Sequence, residues 1–300
     1  MSDPAARPKP DESPASSPRT NRPKTGTTVV WGARSDRGRV RPTNQDCFFV
    51  GRFDRTLEPV LTNVSADVAE RWHHDAGYVA IIADGMGGHA AGDVASQTAV
   101  ATLLDLVLDT PDWIMRYDDE SLVAEVRRRI EDRLQRVDEL LQSMGLRSRE
   151  LSGMGTTVSV IAVLPPYAML AHVGDSRVYV RRGGTLTQLT HDHTMGQVLA
   201  DAGLLDPRDL PRAPQSNVLT RAAGHGDGHL PVDVERIGIE PGDQLLLCTD
   251  GLTKELPDND IERVLATSTS PALAADVLLG LALERGGRDN ITVVVGRVAG

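Results

Sequence analysis

No apolar run in this 300-residue sequence approaches the length of a membrane span, which argues against a helical membrane protein. The first residues are Pro, Ser, Arg and Asp, so there is no signal-peptide core either. Cysteine is nearly absent: only Cys47 and Cys248 occur, both inside apolar strand patterns and without metal-binding spacing. They read as small buried residues of a chain kept in a reducing cytoplasm. No fixed-period repeat is present, which excludes solenoids and propellers. Positive charge is also short. The formal net charge is −10, and residues 1–25 contribute +2, leaving −12 on the rest. A body that acidic repels nucleic acid and anionic lipid and suits divalent cations.

Residues 1–25, rich in Pro and Ser and without aromatics, read as a disordered tail. One domain over residues 26–300 accounts for the remainder. Strand patterns are expected at 27–33, 47–50, 79–83, 156–164, 168–173, 178–182, 185–189, 232–239, 244–249 and 291–298. Residues 52–77, ending in His73 and His74, are expected to be irregular. Val94, Ala101, Leu104 and Leu108 recur at helical spacing, as do Leu122, Val126, Ile130, Leu134, Val137, Leu141 and Met144, with Gly145 as the C-cap. Two more helices are expected near 258–266 and 271–284. Residues 191–217, punctuated by Pro and Asp, read as a mobile flap over a site, with one short helix at 195–202. The expected fold is α+β: a four-layer α-β-β-α sandwich of two mostly antiparallel sheets flanked by helix pairs.

The chemistry concentrates at strand ends. The apolar run 79–83 stops at Asp84, and Gly85, Gly87 and Gly88 follow. Aspartate weakens strands and glycine adds nothing to a core, but glycine lets backbone approach an ion or a phosphate. A tight turn capped by Asp84 is the bland reading. It weakens because the device recurs: a second apolar strand ends at Asp250-Gly251, and Asp289-Asn290 precedes the last strand. Three carboxylates at strand ends suit an oxygen-rich metal site.

Arg41-Pro-Thr-Asn-Gln-Asp46, Asp84-Gly-Met-Gly-Gly-His89, Gly153-Met-Gly-Thr-Thr157, Gly174-Asp-Ser-Arg177, Asn217-Val-Leu-Thr-Arg221, Cys248-Thr-Asp-Gly-Leu252 and Gly287-Arg-Asp-Asn-Ile291 follow one another in order. In this order and spacing they resemble the type 2C, or PPM-type, serine/threonine protein phosphatases, most closely the bacterial branch. The resemblance implies hydrolysis of phosphoserine and phosphothreonine by direct attack of a metal-activated water at a binuclear Mn²⁺ or Mg²⁺ centre. It implies that Asp84 bridges the ions, that the Gly85 carbonyl serves one of them, and that Asp250 and Asp289 are further ligands. Asp175 matches a position that helps hold a third, weaker ion together with Asp250. Arg41 resembles the arginine that grips the substrate phosphate, in keeping with the match between a guanidinium fork and phosphate oxygens. Asp46 resembles the carboxylate that orients metal-bound water.

Two departures stand out. Gln45 replaces a Glu found in many relatives, which removes a charge beside one ion. Met86 stands where eukaryotic relatives carry a candidate general acid, and His89 is read as a structural hydrogen-bonder. The implied partners are phosphorylated proteins, cognate serine/threonine kinases among them, acting on a cytoplasmic monomer without nucleic acid or membrane. The alternative is a catalytically weak member that acts as a phosphoprotein-binding regulatory module. Other phosphatase chemistries fail on spacing. Arg52 follows Cys47 one position too early for a cysteine-dependent enzyme. Cys248 stands where a haloacid-dehalogenase nucleophile would be, and no Gly-x-Ser-x-Gly elbow exists.

Overall fold

A computed structural model describes residues 28–55, 75–88, 91–109, 120–226 and 228–299. The expected tail, His73, His74 and His89 lie outside these residues. Eleven strands form two sheets among the described residues. One sheet has the order β1 (Thr28–Asp36), β11 (Ile291–Ala299), β10 (Gln244–Cys248), β7 (Arg177–Arg182), β8 (Thr185–Gln188). The other runs β2 (Asp46–Arg55), β3 (Asp75–Met86), β5 (Val158–Leu164), β6 (Tyr167–Val173), β9 (Asp233–Gly238), with the two-residue β4 (Gly155–Thr156) paired to the end of β3. Every pairing within the two sheets is antiparallel.

Side chains that alternate along each strand divide the apolar residues into three layers. On β3, Ala80 and Ile82 face the opposite sheet, where they meet Leu245, Leu247 and Val294. Ile81 and Ala83 face outward, against Ala95, Ala99, Leu134, Val137 and Leu141 of α1 (Ala91–Asp109) and α2 (Glu120–Arg147). On the far side Leu246, Val293 and Val295 pack against Ile261, Leu265, Ala274 and Leu278 of α5 (Asp258–Thr267) and α6 (Pro271–Glu284). This is the four-layer α-β-β-α sandwich. Two shorter α-helices lie among the described residues: α3 (Met195–Asp201), capped by the Thr194 hydroxyl, and α4 (Asp250–Thr253). None of the helices among the described residues is long and apolar enough to cross a membrane.

The structure departs from the sequence pattern in three places. Residues 52–55 and 75–77, expected to be irregular, extend the β2–β3 ladder out to Arg55 opposite Asp75. Helix α2 continues past Gly145 to Arg147. Strand β3 does not stop at Asp84, because Gly85 and Met86 pair with Thr156 and Gly155 of β4.

Candidate active site

The same alternation that builds the middle layer also builds the site. Asp84 continues the inward-facing series of Ala80 and Ile82, and Asp46 sits directly opposite it on β2. From the other sheet, Thr249 continues the series of Leu245 and Leu247, and Thr292 precedes Val294 on the same face. At one end of the sandwich the aliphatic layer is thus replaced by carboxylates and hydroxyls. Asp46 joins the two sheets there: its Oδ2 accepts hydrogen bonds from Thr249 Oγ1 at 2.9 Å and Thr292 Oγ1 at 2.7 Å.

Each carboxylate is fixed by a neighbouring motif. The Asp84 amide donates to Thr157 Oγ1 at 3.0 Å, and its carbonyl accepts from the Thr157 amide and the Thr156 hydroxyl, both at 2.9 Å. Thr157 Oγ1 also lies 2.8 Å from Ser176 Oγ, which ties this corner to the loop carrying Asp175. That loop is held in turn by the start of the flap: the His193 amide donates to the Gly174 carbonyl at 2.7 Å, and the Gly174 amide donates to His193 Nδ1 at 3.0 Å. Asn290 anchors the arginine-rich loop. Its Nδ2 donates to the carbonyls of Arg37 and Thr43, and its Oδ1 accepts from the Gln45 amide.

The Asp-Gly pairs have a specific steric basis. A Cβ on Gly251 would lie 1.9 Å from the Asn290 carbonyl oxygen, and one on Gly85 would lie 2.0 Å from the Gly92 carbonyl. Both glycines permit backbone to touch backbone immediately beside a carboxylate. A Cβ on Gly92 would in turn crowd the Gly85 carbonyl oxygen at 2.7 Å, so Gly92 keeps that carbonyl open.

The acidic groups are held against their electrostatic preference. Burial, with the charges of Asp250 and Asp289, raises the Asp46 carboxyl to about 7. Burial together with the Asp250 charge raises Asp175 to about 8. Burial lifts Asp84 well above the carboxylate range, and the charges of Asp46, Asp250, Asp175 and Asp289 add to it. Asp250 is also raised by burial, although Lys254 opposes the shift. Two cations of the chain itself reach into the cluster. The Arg41 guanidinium forks onto Asp289, with Nε 2.8 Å from Oδ1 and Nη2 2.9 Å from Oδ2. The Lys254 ammonium contacts Asp250 Oδ2 and stands 3.9 Å from Asp289 Oδ2.

Among the described residues, no three or more His, Cys, Asp or Glu side chains close into a finished metal cage. The donor chemistry nevertheless fits a hard divalent cation. Asp46 Oδ1 and Asp250 Oδ1 are buried without any hydrogen-bond partner, and a structure leaves such oxygens orphaned only at a cost of about 1–3 kcal/mol each. Oxygen atoms of Asp84, Asp250, Asp289 and the Gly85 carbonyl are the donor type that Mg²⁺ and Mn²⁺ take.

The family model described as Protein phosphatase 2C matches residues 63–279. This chain belongs to the protein phosphatase 2C family. Among its curated relatives, the serine/threonine phosphatase stp of Listeria welshimeri is 34% identical over 262 residues, covering 87% of this chain and 93% of the relative. Protein phosphatase PhpP of Streptococcus pneumoniae is 35% identical over 223 residues, covering 72% and 83%. In three dimensions the family fold recurs in the Mycobacterium tuberculosis serine/threonine phosphatase PstP/Ppp, at a TM-score of 0.73 and 33% identity over 91% of this chain and 99% of that one. The PstP catalytic domain in complex with two manganese ions aligns at a TM-score of 0.71, also with 33% identity, over 92% of this phosphatase and 100% of that chain.

Sequence reasoning singled out Arg41, Gln45, Asp46, Asp84, Gly85, Asp175, Asp250 and Asp289, and all lie at this end of the sandwich. The Gln45 backbone is engaged on both sides: its amide donates to Asn290, and its carbonyl accepts from the Gly85 amide and the Ser96 hydroxyl. Thr157, Ser176, Thr249, Thr292, His193 and Lys254 were not singled out. Thr157, Ser176 and Thr249 stand inside quoted motifs, and Thr292 directly follows one. Their partners are distant in sequence, which is why local reading passed over them.

Proposed function

We propose that this phosphatase hydrolyses phosphoserine and phosphothreonine in proteins at a binuclear Mn²⁺ or Mg²⁺ centre held by Asp84, the Gly85 carbonyl, Asp250 and Asp289. The reading rests on one observation above all: Asp46 and Asp84, opposite each other on the inward face of one sheet, meet Asp250 and Asp289 from the strand ends of the other, and the buried Oδ1 atoms of Asp46 and Asp250 have no partner among the described residues. When bound, the two ions would supply an activated water and neutralise charge on the phosphoryl group.

The chain's own residues then divide the remaining work. Asp46 has one oxygen pinned by Thr249 and Thr292 and the other free, so it can accept a hydrogen bond from the attacking water without rotating. Arg41 is more than half exposed and presents the fork that fits two phosphate oxygens. It holds Asp289 instead, so substrate binding exchanges one bidentate partner for another. Met86, at the end of β3, carries a thioether and has no proton to give the leaving alkoxide. Water is the donor at that step. The partners are phosphorylated proteins, including cognate kinases, and the working form is a cytoplasmic monomer.

Hydrolysis of a phosphothreonine peptide tests the reading. Phosphate release should require Mn²⁺ and vanish with chelator and in Asp250→Asn. A folded, manganese-loaded chain without turnover would overturn it and leave a phosphoprotein-binding module.

A further inference from the structure

Asp175 and Asp250 were expected to share a third, weaker ion, but the residues around them do not fit one. Asp250 opens α4, and Lys254 follows it by one helical turn, its amide donating to the Asp250 carbonyl at 2.8 Å. The turn brings the ammonium back onto the carboxylate at its start. Asp250 is thereby divided: Oδ1 is buried and unpartnered, available to the two-ion centre, whereas Oδ2 is occupied by Lys254 Nζ. A third ion shared with Asp175 would need that second oxygen.

The surroundings point the same way. Asp175, Asp250 and Lys254 line one cleft of about 490 Å³, together with Ser216 and Asn217 of the flap. Lys254 is 36% exposed by side chain, and its ammonium turns inward onto Asp250 Oδ2. Within the cleft the other cation is Arg177, and it is taken by Asp192 at 2.7 Å.

We propose that Lys254 is a built-in replacement for the third metal ion: its ammonium holds Asp250 Oδ2 in the cleft that Asp175 also lines, so that this phosphatase carries two divalent ions and no third. The inference rests on the two-ion reading above and concerns only the neighbouring cation position. It gives the chain a positive charge in the cleft that does not depend on metal concentration.

Manganese stoichiometry, measured by titration calorimetry and equilibrium dialysis on the full chain, separates the possibilities. The native protein and Asp175→Asn should each bind two ions. Lys254→Asp, which turns the ammonium into a carboxylate, should gain a third and weaker ion. The double variant Lys254→Asp with Asp175→Asn should return to two. Three ions on the native chain, falling to two in Asp175→Asn, would overturn the proposal and need no Lys254 variant at all. A folded Lys254→Asp chain that stays at two would overturn it as well. Native protein that binds no manganese would instead remove the binuclear centre, and this inference with it.

Discussion

The middle of the sandwich and its acidic end are built from the same strands and the same register, yet they are opposites in physical character. In the middle, inward-facing Ala80, Ile82, Leu245, Leu247 and Val294 are fully buried against one another. Two or three residues further along, the same face carries Asp84, Asp46, Thr249 and Thr292. Only three buried side-chain polar atoms among the described residues lack a partner, and two of them, Asp46 Oδ1 and Asp250 Oδ1, belong to that end. Stability comes from the satisfied region, and binding capacity comes from the frustrated one.

Mutation should break this contrast cleanly. Asp84→Asn is expected to show the largest effect, lowering manganese-dependent turnover by more than about 100-fold, because even outer-shell partners of metal ligands are worth 10–100-fold. In metal-free protein the same change should raise stability on the order of 1 kcal/mol, roughly 2–4 °C in Tm, since it deletes a buried charge crowded by other carboxylates. Thermal melts with chelator check the sign, and a lower Tm would mean that Asp84 is satisfied after all. Leu247→Ala should do the reverse. It should cost about 2–5 kcal/mol of stability while leaving turnover per folded molecule near native. Arg41→Lys sharpens the comparison further. It keeps the charge but loses the fork, so KM for a phosphopeptide should rise roughly tenfold, with a smaller change in kcat.

Much of this was legible in the sequence, for reasons that differ by residue. Asp84, Asp250 and Asp289 stood out because an acidic residue beside an apolar strand recurs three times, which a turn cap alone does not explain. The four layers could be found because period-2 runs and 3.6-period stripes alternate in blocks. Residues 52–55 and 75–77 could not, because a ladder held by backbone bonds leaves no side-chain pattern. Thr249 and Thr292 bond an aspartate 203 and 246 positions away, a distance at which a lone hydroxyl carries no local signal. Lys254 gave no sequence signal, because only the turn of α4 lays its ammonium on Asp250.

The last and smallest effect is a stability profile on which two kinds of buried group act in opposite directions. His172 lies in the sheet beneath the flap, with Nε2–H donating to the His191 carbonyl at 3.2 Å and Nδ1 accepting from Ser159 Oγ at 2.9 Å. Burial, with the neighbouring His193 ring 4.9 Å away, depresses it to about 4. A base depressed in the fold contributes stability above its unfolded value near 6.5, and that stability is lost as pH falls through this range toward 4. Asp46 and Asp175 act in the opposite direction. Their folded values of about 7 and 8 exceed the unfolded value, so their contribution is full below pH 4 and is lost as pH rises from there through 7 to 8. Between pH 4 and 6.5 the two carboxylates outweigh the one histidine, so metal-free protein should lose Tm as pH rises from about 5 to 8, with His172 only softening the slope at the acid end. Manganese should offset that loss, because it compensates ionised carboxylates and does nothing for His172. The rise in Tm on adding Mn²⁺ should thus be larger at pH 8 than at pH 6. An equal rise at both values would show that the carboxylates are already ionised in the metal-free fold, with Arg41 and Lys254 sufficient to hold them.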